Sequence, residues 1–242
     1  MSAPLALVLS APGTNRDRDV ADALELAGAR VERLPMHLLR DRTDRLREAR
    51  LIVLAGGFSH GDALGSGAVW ANDVRTHFAD ELRAFVSDGK AILGICNGFQ
   101  TLVRTGLLPG SLDHNRQGSF VCRWVTLEAT ESDCVWTSHL SAPIDCPVAH
   151  GEGRYVADDA TIERHGALRY IDGTNPNDST ADIAGVHDST GRILGLMPHP
   201  ENHIHAHQHP QAGRRVGVSD VAAMKTSGLA LFASGVHHAR QV

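Results

Sequence analysis

The sequence is short of several things, and each shortage narrows what the chain can be. Four cysteines in 242 residues, Cys96, Cys122, Cys134 and Cys146, include no C-x-x-C pair. That is too few for a disulfide scaffold, and a reducing cytoplasm is the expected setting. Aromatic residues make up only 5% of the chain and the formal net charge is -5, so the basic face and stacking platforms of a nucleic-acid binder are missing. No apolar run approaches the roughly 18 residues of a membrane span. Met1-Ser2-Ala3-Pro4 also lacks the basic segment of a signal peptide. Neither a G-x-x-x-x-G-K-[ST] loop nor a dinucleotide fingerprint occurs, so no nucleotide-phosphate cradle is expected. What remains is a chain long enough for one large α/β domain spanning residues 1–242.

The most informative stretch is Ala91-Ile92-Leu93-Gly94-Ile95-Cys96-Asn97-Gly98-Phe99-Gln100. Its apolar first half predicts a buried strand and Phe99 to Arg104 the start of a helix, which puts Cys96 on the turn between them. Gly94 and Gly98 flank it in the G-x-nucleophile-x-G arrangement of a nucleophile elbow, where small neighbours allow a strained turn and close strand-to-helix packing. A sulfur held at a helix N-terminus meets unpaired N–H groups and the positive end of the helix dipole, which favour thiolate over thiol.

Elsewhere the chain reads as strands alternating with helices. Leu5 to Leu9, Arg30 to Leu34 and Leu51 to Ala55 predict strands, and Asp17 to Ala27 predicts a helix closed by Gly28. Trp70, Val74, Phe78, Leu82 and Phe85 recur at three to four residues, predicting one long amphipathic helix from Ala68 to Asp88. Such alternation implies an open, mostly parallel, doubly wound sheet whose strand C-termini share one edge, where α/β sheets place ligands. Between the third strand and the long helix, five glycines fall within residues 56–67. This loop lacks the ending of a phosphate-binding loop. Its place beside the elbow predicts instead an oxyanion hole, with the N–H of Gly57 or Phe58 joining that of Asn97.

From about residue 111 to 181 the alternation fails, and short runs such as Phe120 to Leu127 and Leu168 to Ile171 predict an antiparallel excursion at the sheet edge. Within it, Ala149-His150-Gly151-Glu152-Gly153-Arg154-Tyr155 and Asn175-Pro176-Asn177-Asp178-Ser179 stand out. Taken alone, His150 and Glu152 in a Gly-rich segment read as a turn. Ile183 to Val186 and Ile193 to Met197 restore apolar strands around an Asp188-Ser189-Thr190-Gly191 turn. The second runs into Pro198-His199-Pro200-Glu201, where two prolines stop the strand and His199 and Glu201 take the same-side spacing of alternate residues. A cysteine nucleophile needs a base, and a base needs an orienting carboxylate; His199 and Glu201 are the candidates. Residues 202–242 predict an exposed His-rich loop followed by a packed helix through Val221, Met224, Leu231 and Phe232. The alternating His203, His205, His207 and His209 could bind a metal adventitiously, but no metal cofactor is expected.

In order along the chain, Gly13-Thr14-Asn15, the glycine loop, the elbow with its Asn97-Gly98-Phe99-Gln100 continuation, the two middle segments and Met197-Pro198-His199-Pro200-Glu201 resemble class I glutamine amidotransferases. Within these the chain is most similar to the glutaminase subunits that serve phosphoribosylformylglycinamidine synthase. The resemblance implies a flavodoxin-like fold, a Cys96–His199–Glu201 triad, an oxyanion hole at Gly57 or Phe58 with Asn97, and Gln100 near the substrate L-glutamine. It also marks His150 and Glu152 as part of the family pattern. It implies further that ammonia passes to a large synthetase subunit, which holds ATP and Mg, often with a third small subunit. The acceptor there is formylglycinamide ribonucleotide, in purine synthesis. Ala55 stands where the family commonly has proline, and His60 and Ala63 where aromatics are usual, which bears on loop rigidity and partner contacts. A glutaminase for a different synthase and a silent regulatory subunit of the same fold remain as alternatives; the first would share the triad and the second would have lost it.

Overall fold

A computed structural model describes residues 2–212 and 227–242. The predicted residues Val221 and Met224 lie outside that range. Apolar runs at Leu5–Ser10 (β1), Leu51–Leu54 (β3) and Ala91–Ile95 (β4) are buried along almost their whole length, as strands covered on both faces must be. With Arg30–Pro35 (β2) and Ile193–Leu196 (β11) they make the parallel half of a nine-stranded sheet, in the order β2-β1-β3-β4-β11. Ile183–His187 (β10) then pairs antiparallel to β11. Gly166–Tyr170 (β9), Val121–Ala129 (β6) and Ile144–His150 (β7) continue outward, each antiparallel to its neighbour. The excursion therefore extends the same sheet. Ser111–His114 (β5) and Glu152–Val156 (β8) pair separately as a two-stranded ribbon.

Helices pack in two groups. Asp17–Leu26 (α1) meets the C-terminal helix Leu229–Ala239, which also touches β3 and β4; Ala68–His77 (α3) meets Asn97–Arg104 (α5), which lies on β4 and β11. The single long helix predicted over Ala68–Asp88 is two. It breaks at Phe78 (φ −139°, ψ 0°), and Ala79–Ser87 (α4) follows. The cause is legible in the spacing: three successive four-residue steps each overshoot a helical turn by about 40°, so a straight helix would carry Leu82 off the buried face. The non-helical Phe78 resets the phase, and Phe78, Leu82 and Phe85 are all buried. Two helices outside the predicted pattern, Thr43–Glu48 (α2) and Asp159–His165 (α6), are only six and seven residues long; α6 is capped by the Asp158 side chain accepting from Thr161 N–H at 2.7 Å.

The elbow glycines are required by contact. A Cβ on Gly98 would lie 2.1 Å from Leu54 O on β3, and one on Gly94 would meet Leu102 Cδ1 at 2.5 Å and the Gly98 backbone at 2.9 Å. The obstacle at Gly98 is the backbone of a buried strand, which cannot yield as a side chain can. Gly98→Ala should therefore lower unfolding stability by about 1–3 kcal/mol, read as a fall in the urea midpoint. An unchanged midpoint would show that α5 does not need this close approach.

Candidate active site

Cys96 sits where β4 ends and α5 begins, with φ 50° and ψ −104°, a backbone state that a non-glycine residue rarely holds. The turn is held from both sides. Its N–H donates to Leu196 O of β11 at 2.8 Å, and its carbonyl accepts from Gln100 N–H at 3.0 Å. The sulfur is nearly buried and lies 3.8 Å from Ala149 O at the end of β7.

His199 and Glu201 arrive from the adjacent strand β11, but by a different local geometry from the strand alternation expected. The strand stops at Leu196, and Pro200–Asn202 turns as a short 3₁₀ segment. That turn brings Glu201 Oε1 to 2.7 Å from His199 Nδ1, with both side chains buried. His199 N–H is tied to Pro147 O of β7 at 2.8 Å, and its ring passes over Gly56, where a Cβ would meet Cε1 at 2.8 Å. Nδ1 is engaged by Glu201, which leaves Nε2 as the ring nitrogen available to a reacting group, and the Cys96 sulfur is near enough to act on the charge of the ring. Burial works against a charged imidazole here, but the Glu201 carboxylate and the Cys96 sulfur outweigh it and raise the His199 pKa to about 10.

The glycine loop is braced by Gly13-Thr14-Asn15. Asn15 N–H donates to Gly56 O at 3.2 Å and Phe58 N–H to Gly13 O at 3.1 Å. Gly57 between them has φ +138°, and a Cβ there would lie 2.6 Å from Thr14 Cα. Of the two loop donors expected, Phe58 is thus already engaged, and among the described residues no acceptor is assigned to Gly57 N–H. Asn97 opens α5, so its N–H belongs to the first-turn amides that lack an intrahelical acceptor. Its side chain clamps the loop, with Oδ1 accepting from Ser59 N–H at 3.1 Å and Nδ2 donating to Asp62 Oδ1 at 3.2 Å and Gln100 Oε1 at 3.0 Å. Burial raises the pKa of Asp62 above the usual carboxylate value. Gln100 is buried, and its amide is spent within this network, donating to Glu152 O while accepting from Asn97. Glu152 meets Arg104 at 3.2 Å. It therefore joins the loop network, while His150 is buried in another network with Asn115 and Asn177. Sequence reasoning missed Asn115 and gave Ser59 and Asp62 of the glycine-loop motif no role of their own, because what they do depends on contacts between distant segments.

The His-rich segment differs from the exposed loop expected. His203 and His209 are buried against Trp124, at ring-centroid distances of 5.3 and 4.9 Å, and His203 Nδ1–H donates to Asp145 O at 2.6 Å. His205 and His207 stay exposed and stack on each other at 5.4 Å. Among the described residues no three His, Cys, Asp or Glu side chains gather as a metal site would require, and no helix is long and apolar enough to cross a membrane.

A cysteine on a strained elbow with a buried histidine–glutamate pair on the adjoining strand is the arrangement that a nucleophile, its base and an orienting carboxylate would need. The chain belongs to the CobB/CobQ-like glutamine amidotransferase domain family, whose model matches residues 3–239. Among its relatives, phosphoribosylformylglycinamidine synthase subunit PurQ of Treponema denticola is 42% identical over 240 residues, covering 83% of this chain and 88% of the relative. The subunit PurQ of Dehalococcoides mccartyi is 38% identical, with all of both chains covered. A chain in the structure of PurLQS from Thermotoga maritima superposes with a TM-score of 0.77 at 36% identity, covering 97% of this chain and 98% of that one.

Proposed function

We propose that the chain is a PurQ-type glutaminase subunit that hydrolyses L-glutamine at Cys96 and supplies the ammonia to a synthetase subunit in purine biosynthesis. The observation that carries this is the buried His199–Glu201 pair at 2.7 Å, on the strand next to the one that ends at a cysteine held in a strained turn. The Cys96 sulfur attacks the side-chain carbonyl carbon of glutamine. The oxyanion that forms is met by the N–H groups of Gly57 and Asn97. His199 gives its proton to the departing nitrogen, the C–N bond breaks, and ammonia leaves a thioester on Cys96. His199 then takes a proton from water; the resulting attack breaks the C–S bond, releasing glutamate and restoring the sulfur. Glu201 holds the imidazole in orientation throughout. Gln100 serves by fixing Asn97 and the Glu152 carbonyl around the substrate position.

ATP, magnesium and the formylglycinamide ribonucleotide acceptor belong to the large synthetase subunit, with a third small subunit in the assembly and the cytoplasm as its location. Support for docking at the catalytic mouth comes from exposed Phe58 and Leu64 on the glycine loop, with Phe58 beside the exposed Phe120 at 6.3 Å. Covering these residues stiffens the loop that presents Gly57, so turnover depends on the partner. Glutamate release by the isolated chain should be low and should rise about tenfold or more on adding the synthetase and its nucleotide ligands, for a coupling near 1.4 kcal/mol. Full turnover by the lone chain would show that the loop is already organised and that this dependence is absent.

A further inference from the structure

The turn that carries Glu201 is short, and its own hydrogen bonds do not fix it against the rest of the fold. Asn202 N–H donates to His199 O at 3.2 Å and His203 N–H to Pro200 O at 3.1 Å, which closes the chain over three residues. Contacts from outside the turn hold it in place. On one side Pro200 lies against Gly228, where a Cβ would come 2.2 Å from Pro200 O, and Gly228 N–H donates to His203 O at 2.8 Å. On the other side Asn202 Nδ2 donates to Asp19 Oδ2 at 3.2 Å, across 183 positions of sequence.

Asp19 lies in the first turn of α1, where the helix dipole favours an acid, and Arg16 pairs with the same Oδ2 at 3.0 Å. Those two interactions are local to the helix, and the ion pair, with both side chains more than a third exposed, contributes little. The bond to Asn202 is of a different kind, because it ties the helix to the turn beside His199. The same stretch of chain also reaches the imidazole from its other side. Asn15 and Arg16 N–H both donate to Gly56 O, at 3.2 and 3.3 Å, and Gly56 is the residue over which the His199 ring passes. The start of α1 thus fixes both the floor under His199 and the turn that presents Glu201 to it.

We infer that Asp19 and Asn202 are positioning residues for the hydrolysis: their contact locks the Pro200–Asn202 turn so that Glu201 Oε1 stays within hydrogen-bond distance of His199 Nδ1. The inference rests on His199 being the base of the proposed glutaminase. Neither residue touches substrate or the reacting atoms; they act through Glu201. A carboxylate two residues from its partner moves with every shift of the turn between them, and a misplacement of about 1 Å at such a pair is enough to cost much of the rate. The loss falls on kcat rather than KM, because the oxyanion donors Gly57 and Asn97 lie on other elements.

Asp19→Ala and Asp19→Asn both remove the charge that Arg16 and the α1 dipole meet, but only asparagine keeps an oxygen for Asn202 Nδ2. In the assembled complex, Asp19→Ala and Asn202→Ala should each lower kcat for glutamine about 5- to 20-fold with KM within about twofold of the parent. The double variant should be no worse than the poorer single one, because both remove the same contact. Asp19→Asn should recover most of the loss, and amination from free ammonia should stay parental in all four variants. Parental kcat in Asp19→Ala, losses that multiply in the double variant, or equal losses in Asp19→Ala and Asp19→Asn would overturn the positioning role alone. A parent complex that releases no glutamate from glutamine would overturn the glutaminase reading and this inference with it.

Discussion

Replacing Cys96 with alanine removes glutamine-dependent amination by about 10⁴-fold or more while leaving amination from free ammonia close to the parental rate in the assembled complex. The size of the loss follows from chemistry: without the sulfur no thioester forms, and water alone must attack an amide. The selectivity follows from the division of labour, since ammonia production and ammonia use lie on different chains. Alanine keeps the Cβ that cysteine already carries at φ 50° and removes only the sulfur, so the substitution adds no atom to the turn. Equal loss of both activities would mean that Cys96 supports the assembly and not the hydrolysis.

His199→Asn is expected to cost glutaminase turnover about 10⁴- to 10⁶-fold, and Glu201→Gln about ten- to a hundredfold less than that. In the proposed mechanism His199 moves a proton in both half-reactions, whereas Glu201 only orients it and stabilises its charge. A pH signature accompanies the pair. The folded pKa of His199 is raised from 6.5 to about 10, so the stabilisation it brings is fully present below about 6.5 and is lost as pH rises through about 10. Melting temperature measured from pH 7 to 10 should fall in the parent and fall less in Glu201→Gln, which lacks the largest charge raising that pKa. Parental hydrolysis by both variants, or an identical pH slope in Glu201→Gln, would contradict the pairing.

Much of the architecture was open to reading because buried parallel strands are continuous apolar runs: β1, β3, β4 and β11 stand within a residue of their predicted bounds. The elbow was legible for the same reason, as glycines two residues either side of a cysteine have little use in an ordinary strand. The prolines around His199 marked a chain stop, though they could not show that the next residues would turn rather than extend. Other features depend on distant partners. The order β9-β6-β7 follows from pairings between segments dozens of residues apart. That Phe58 N–H is taken by Gly13 O, while no acceptor is assigned to Gly57 N–H among the described residues, follows from a backbone contact that no side chain advertises. His203 and His209 are buried because Trp124 and Asp145 come to meet them across the sheet. Asn115 carries no motif; its importance appears only when His150 and Asn177 are seen on either side of it.

The account turns on Cys96 being the nucleophile because of its surroundings, and the other three cysteines provide the control. Cys122 is exposed, so accessibility alone would favour it, while Cys134 and Cys146 are buried thiols whose pKa values burial pushes up, that of Cys134 to about 11. The most direct test is peptide mapping by mass spectrometry after treating the complex with one equivalent of an electrophilic glutamine analogue. The account predicts label on Cys96 alone, suppressed by excess glutamine; label on Cys122, Cys134 or Cys146, or on Cys96 without protection by glutamine, would contradict it.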